Sequence, residues 1–151
     1  KNKRFNGNLN PERAAILALY HEVSETKLQD INTNTKYHNP EFTKAFKTLE
    51  NIAEKECLAT LPEDLRDEME SLIVQSKVDP EYKAIVKAAD LLQAYVKTKN
   101  ELRFNNDEFC HVEEHLTAKL QALESSMPEV KCFMDIFLDS CTTTLDKLSE
   151  T

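Results

Sequence analysis

The sequence predicts an all-α fold, and three observations predict it. There is one glycine, Gly7, in 151 residues, whereas a hairpin-rich β protein needs glycine repeatedly at the positive φ of its tight turns. All five prolines are followed by glutamate: Pro11-Glu12, Pro40-Glu41, Pro62-Glu63, Pro80-Glu81 and Pro128-Glu129. Apolar residues recur at helical spacing, and no segment alternates as a half-buried strand would.

The Pro-Glu pairs read as helix starts. Proline at the first helical position gives up an N–H that has no partner inside the helix. Asn10, Asn39 and Asp79 stand before three of the prolines, where a short polar side chain accepts a free N–H, and each glutamate complements the positive helix end. A sixth start is predicted at Asn105 or Asn106, ahead of Asp107-Glu108.

About six helices follow in order. Residues 11–25 carry Ala14, Ile16, Leu17, Ala18, Leu19, Tyr20 and Val23, a run too apolar for an exposed helix, so a central position is expected. Residues 40–59 place Phe42, Phe46, Leu49, Ile52 and Ala53 on one face. Residues 62–76 carry Leu65, Met69, Leu72 and Ile73. Residues 80–103 carry Tyr82, Ile85, Val86, Ala89, Leu92, Val96 and Leu102, again a central helix by expectation. Residues 107–124 carry Phe109, Val112, Leu116, Leu120 and Leu123, and residues 128–148 carry Val130, Phe133, Ile136, Phe137, Cys141, Leu145 and Leu148. The longest irregular stretch expected is 26–38, and a loop of that length in a helical domain is often functional.

The length suits one domain, 1–151, large enough to bury roughly 70% of its unfolded surface without staples. Apolar residues at 40% and charged residues at 30% are ordinary for a globular chain. The net charge of −8, from 27 acidic and 19 basic residues, repels a phosphate backbone and argues against nucleic-acid binding. A single glycine also nearly excludes a P-loop or a dinucleotide fingerprint. A small phosphorylated ligand remains compatible, because a metal ion inverts the local field. Cys57, Cys110, Cys132 and Cys141 show no CxxC spacing and are expected to be reduced and mostly packed, in a cytoplasmic protein. No apolar run approaches the ~18 residues of a membrane span, and no signal-peptide pattern is present. The sequence opens at Lys1 without methionine, in a polar stretch that leads into an apolar helix, so an upstream segment is expected.

Candidate chemistry gathers where the first apolar helix turns polar, at Tyr20-His21-Glu22-Val23-Ser24-Glu25. On a continuous helix His21 and Glu25 share a face, with Glu22 about 100° round. Imidazole with carboxylate suits a divalent transition metal such as manganese, cobalt, iron or zinc. The long loop adds Asp30. Asp90, flanked by Ala88-Ala89 and Leu91-Leu92, is costly inside a buried helix unless paired or bound to metal. The same residues also read as a solvated helix terminus, with Asp90 paired to Lys87 or Lys97. His111 and His115 are four apart, but Val112 follows the first and charged residues surround both, so they read as a solvent face rather than a zinc motif. His38 belongs to a loop. No Ser-His-Asp or Cys-His arrangement is present.

The run from Asn8 to Glu25 resembles the central segment of bacterial HD-domain 5′-deoxynucleotidases, in which an apolar helix ends Tyr-His-Asp-x-Ser-Glu. The resemblance continues through Asp30, Lys36-Tyr37, Leu61-Pro62-Glu63-Asp64-Leu65-Arg66, Glu81-Tyr82-Lys83, Lys87-Ala88-Ala89-Asp90-Leu91, Asn105-Asn106-Asp107-Glu108-Phe109 and Phe133-Met134-Asp135-Ile136-Phe137. It covers nearly the whole chain in one register. It implies an HD-domain helical bundle and hydrolysis of 2′-deoxynucleoside 5′-monophosphates to deoxynucleoside and phosphate. It also implies a divalent metal such as cobalt or manganese, and a homodimer. By resemblance His21, Glu22 and Asp90 stand at metal-ligand positions. Glu25 and Asp30 match two acidic residues needed for activity, one to orient water and one to protonate the leaving 5′-oxygen.

Two departures accompany the match. The doublet is His21-Glu22 rather than His-Asp, and a glutamate is one methylene longer. The family's first histidine ligand has no counterpart here, since the family places it on a helix upstream of Lys1. Two other functions therefore stay open: an HD-type phosphohydrolase with another nucleotide substrate, and a degenerate HD domain that binds a nucleotide or a protein partner without catalysis.

Overall fold

A computed structural model describes residues 1–150. They form an all-α structure, as the sequence predicts: α1 Asn2–Phe5, α2 Pro11–Tyr20, α3 Glu25–Leu28, α4 Thr33–Lys36, α5 Pro40–Ala59, α6 Glu63–Ile73, α7 Pro80–Arg103, α8 Cys110–Glu124, α9 Pro128–Thr142 and α10 Leu145–Ser149, with 3-10 turns at Gln75–Lys77 and Asp107–Phe109.

The predicted starts hold in detail. The Asn10 side chain accepts the Arg13 N–H at 3.0 Å, Asn39 accepts that of Phe42 at 2.7 Å, and Asp79 accepts that of Glu81 at 2.8 Å. Pro62 differs: it occupies the cap position itself, and α6 starts at Glu63. Several boundaries also differ. The helix expected over 11–25 ends at Tyr20. The one expected to reach 76 stops at Ile73, and the one over 128–148 breaks after Thr142. The stretch expected to be irregular, 26–38, contains most of α3 and all of α4.

The chain divides into two compact units, one of residues Asn10–Val86 and one of Lys1–Leu9 with the chain from Lys87 onward. In the first, Leu17, Val78 and Val86 form a buried cluster with Ala18, Leu72 and Tyr82 against it. Each fully buried side chain of this size stabilises the fold by about 1.5–3 kcal/mol. Polar ties hold α2 in place: the Asn10 N–H donates to the Tyr82 hydroxyl at 2.9 Å, and the Arg13 guanidinium reaches Ser71 Oγ at 3.1 Å. Glu54 on α5 is buried, and its carboxylate accepts the Gln75 N–H at 3.0 Å, at the start of the 3-10 turn after α6. In the second unit Ala88, Tyr95, Leu116, Leu120 and Val130 form the core, drawn from α7, α8 and α9.

Burial corrects two expectations. α2 is not enclosed: Leu17 is buried, but Ile16 is partly exposed and Leu19 is 81% exposed. α7 supplies core residues to each unit, yet Ala89 and Asp90 are exposed. Apolar content sets how much of a helix wants cover; it does not choose which residues receive it. The cysteines are all free, but only Cys57 and Cys132 are half-buried, while Cys110 and Cys141 are exposed rather than packed. His111 and His115 lie on the solvent face, as read from their neighbours.

Candidate metal and acid site

The polar end of α2 forms a turn. After Tyr20 the bonds become i to i+3: Val23 N–H to Tyr20 O at 3.1 Å, Glu25 N–H to Glu22 O at 2.9 Å, and Thr26 N–H to Val23 O at 3.2 Å. Val23 and Ser24 are poorer helix formers than the alanines and leucines before them. α3 then starts at Glu25, behind the buried Ser24. His21 and Glu25 are thus not stacked on one continuous helix. The carboxylate beside His21 is that of Glu22.

His21 is fixed through its ring. Nδ1 lies 2.7 Å from the carbonyl oxygen of Ala18. A carbonyl only accepts, so Nδ1 carries the proton, and the bond satisfies one of the carbonyls left over at the end of α2. In the neutral ring Nε2 is then the lone-pair nitrogen. Among the described residues Nε2 is buried without a hydrogen-bond partner, and Glu22 Oε1 stands 3.6 Å from it. In that neutral form two acceptors face each other, and a cation between them removes the conflict. His21 and Glu22 accordingly belong to a group able to hold a metal ion. One imidazole nitrogen with carboxylate oxygen fits a divalent transition metal.

Glu25 is half-buried. Burial raises its pKa above the ordinary carboxylate value, and the charges of Glu22 and Asp30 add to this; Lys36 and His21 oppose it. Asp30 is exposed and follows α3 by two residues. His21, Glu22, Glu25 and Asp30 therefore share one electrostatic neighbourhood within the unit Asn10–Val86. Asp90 lies in the other unit, exposed, one helical turn beyond Val86 on α7; the expectation of a buried aspartate is corrected.

Two features lie outside the helical pattern of the sequence. Lys36, on α4, is the cation of this neighbourhood. Its ammonium bonds to Glu50 of α5 and lies 5.2 Å from the Phe46 ring centroid. Burial works against its charge, but the Glu50 carboxylate outweighs this and raises its pKa. Gln29, between Glu25 and Asp30, has a backbone φ of 62°. No periodicity or composition rule finds either, because both depend on how α3 and α4 meet α5.

Comparison with known proteins follows the same lines. A family model described as 5′-deoxynucleotidase YfbR-like matches residues 1–141. A 5′-deoxynucleotidase of Vibrio cholerae serotype O1 is 42% identical over 149 residues, covering 99% of this chain and 76% of that protein. A 5′-deoxynucleotidase of Yersinia pestis (strain Pestoides F) is 40% identical over 149 residues, covering 99% of this chain and 75% of that protein. The match spans nearly the whole chain, and the chain belongs to the YfbR-like 5′-deoxynucleotidase family.

Proposed function

We propose that the protein hydrolyses 2′-deoxynucleoside 5′-monophosphates to the deoxynucleoside and phosphate, with a divalent metal such as cobalt or manganese. The observation that carries this reading is the buried, unpartnered Nε2 of His21 facing the Glu22 carboxylate. A purely structural histidine would have that nitrogen satisfied. Family membership and the names of the relatives support the substrate class.

In this reading His21 Nε2 and a Glu22 carboxylate oxygen would hold the metal. When bound, it polarises the phosphoryl group and lowers the pKa of an attacking water. Glu25 and Asp30 then divide the proton chemistry. Glu25, whose burial favours its protonated form, gives a proton to the departing 5′-oxygen. Asp30, exposed on the chain just after Gln29, orients the water and takes its proton. The P–O bond to the sugar breaks as the new P–O bond forms, and the nucleoside leaves as the neutral alcohol. Lys36 offsets the negative charge around Glu25, which favours approach of an anionic substrate.

The same reading gives a cytoplasmic homodimer. The four free cysteines support a reducing compartment, and among the described residues no helix is long and apolar enough to cross a membrane. The test is phosphate release from deoxyadenosine and adenosine 5′-monophosphates with cobalt or manganese added in turn. Metal-dependent release from the deoxynucleotide alone is expected. Release from both would make the protein a broader nucleotidase. No release with either metal would refute the reading.

A further inference from the structure

Among the described residues, three other than glycine have positive φ: Asn6, Gln29 and Asn105. Asparagine enters the left-handed region readily, because its short side chain bonds locally. Asn6, at φ 52° and ψ 30°, is an ordinary example. Gln29 is different in both respects. Its side chain is longer, and its φ of 62° comes with a ψ of 162°, a combination that is essentially glycine territory. Such a conformation persists only where the surroundings impose it.

The surroundings do so from both sides. Upstream, the Gln29 N–H closes on Glu25 O at 2.9 Å and the Leu28 N–H on Ser24 O at 3.0 Å, with Ser24 buried. Downstream, Asn32 caps α4 by accepting the Asn34 N–H at 2.9 Å, and the Thr43 hydroxyl of α5 donates to the Lys36 carbonyl at 2.8 Å. Both short helices pack on α5. The chain has only residues 29–32 in which to leave α3 and enter α4, and Gln29 is the residue of that stretch with a positive φ. Glu25 is tied to Gln29 through its carbonyl, and Asp30 is the next residue. The turn at Gln29 therefore sets where Asp30 stands relative to Glu25, close enough for the Asp30 charge to raise the Glu25 pKa.

We propose that Gln29 is a positioning residue, whose strained left-handed backbone, rather than its side chain, holds Asp30 in register with Glu25 for the reaction. This rests on the hydrolase reading above. It predicts that glycine, which adopts this conformation without penalty, replaces Gln29 with no loss, and that a β-branched residue does not.

The experiment compares the intact protein with Gln29→Gly and Gln29→Val, measuring kcat and KM for deoxyadenosine 5′-monophosphate and cobalt affinity by calorimetry. Gln29→Gly should retain kcat within about twofold and melt no lower than wild type. Gln29→Val should lose kcat by about 10²-fold, the scale of a small misplacement of a reacting group, with cobalt affinity unchanged. If circular dichroism finds Gln29→Val unfolded, Gln29→Ala is judged by the same criteria, with a smaller loss. Equal kcat in wild type and Gln29→Val would overturn the proposal, as would an equal loss in Gln29→Gly, which would place the effect in the side chain. Parallel loss of cobalt affinity and kcat would also overturn it. Wild-type protein that binds cobalt and releases no phosphate would instead refute the hydrolase reading, and the positioning role with it.

Discussion

His21 Nε2 and Glu22 Oε1 stand 3.6 Å apart, while Nδ1 of the same ring is committed to the Ala18 carbonyl. The backbone of α2 thereby decides which imidazole nitrogen is free to bind a metal, before any metal arrives. A ligand that binds only the folded state stabilises it by about 2.7 kcal/mol at a hundred times its Kd. Cobalt at that concentration should raise the thermal midpoint by roughly 5–11 °C in a chain of this length. His21→Ala should remove the rise, and Glu22→Gln should weaken cobalt binding by about tenfold or more. Differential scanning calorimetry with and without cobalt checks this; an equal rise in His21→Ala would mean that the ion sits elsewhere.

In the proposed mechanism Glu25→Gln removes the proton donor while leaving a side chain of the same size. Phosphate release should fall by about 10²–10⁴-fold, the range for losing a general acid. Cobalt affinity should stay within a few-fold. Steady-state kinetics alongside calorimetry separates the two. A variant that keeps its rate would remove Glu25 from the chemistry.

Glu54 gives a pH dependence whose sign follows from its pKa. Burial raises that pKa above the ordinary value of 4.5, against the smaller lowering by the Gln75 N–H. The folded state thus holds the Glu54 proton more tightly than the unfolded state. Its contribution to stability is fully present below pH 4.5 and is lost as pH rises through the folded-state pKa. Glu54→Gln keeps an oxygen for the Gln75 N–H without the buried charge. The variant should be at least as stable as wild type at pH 7, and the difference should shrink as the pH falls toward 4.5. Urea midpoints at several pH values test it; a variant less stable than wild type at pH 7 would contradict the assignment.

Leu17 and Leu19 separate what composition joins. Both lie in α2, but Leu17 is 1% exposed and Leu19 is 81% exposed. Leu17→Ala should cost about 2–5 kcal/mol. Leu19→Ala should stay within about 0.5 kcal/mol. Chemical denaturation of the two variants measures both, and similar losses would mean that Leu19 is covered in solution.

The helix starts were legible because their causes are local. Asn10, Asn39 and Asp79 each cap residues two or three positions ahead, so the signal lies within one short stretch. The end of α2 was not legible. Val23 continues the apolar spacing beyond Tyr20, and only the turn bonds reveal that the helix has stopped. The site was half legible. His21, Glu22, Glu25 and Asp30 stand out as polar groups after an apolar helix, and all four share one neighbourhood in the structure. The exposure of Asp90 is not legible, because alanine and leucine neighbours describe a helix as a whole and not the direction of one side chain. Lys36 and Gln29 owe their roles to tertiary packing on α5, which leaves no mark in local composition.

α7 contributes Val86 to one buried cluster and Ala88 to the other, and Lys87 between them is exposed. The side chain at 87 is thus nearly free to vary, while the backbone beneath it is not. Proline there would delete a helical hydrogen bond, clash with the carbonyl of Lys83, and cost about 3 kcal/mol or more. The damage would reach residues of two hydrophobic cores through a single substitution at the surface. A position that tolerates charge, size and shape of nearly every kind, and rejects one imino acid, is the signature expected at 87 in a saturation library.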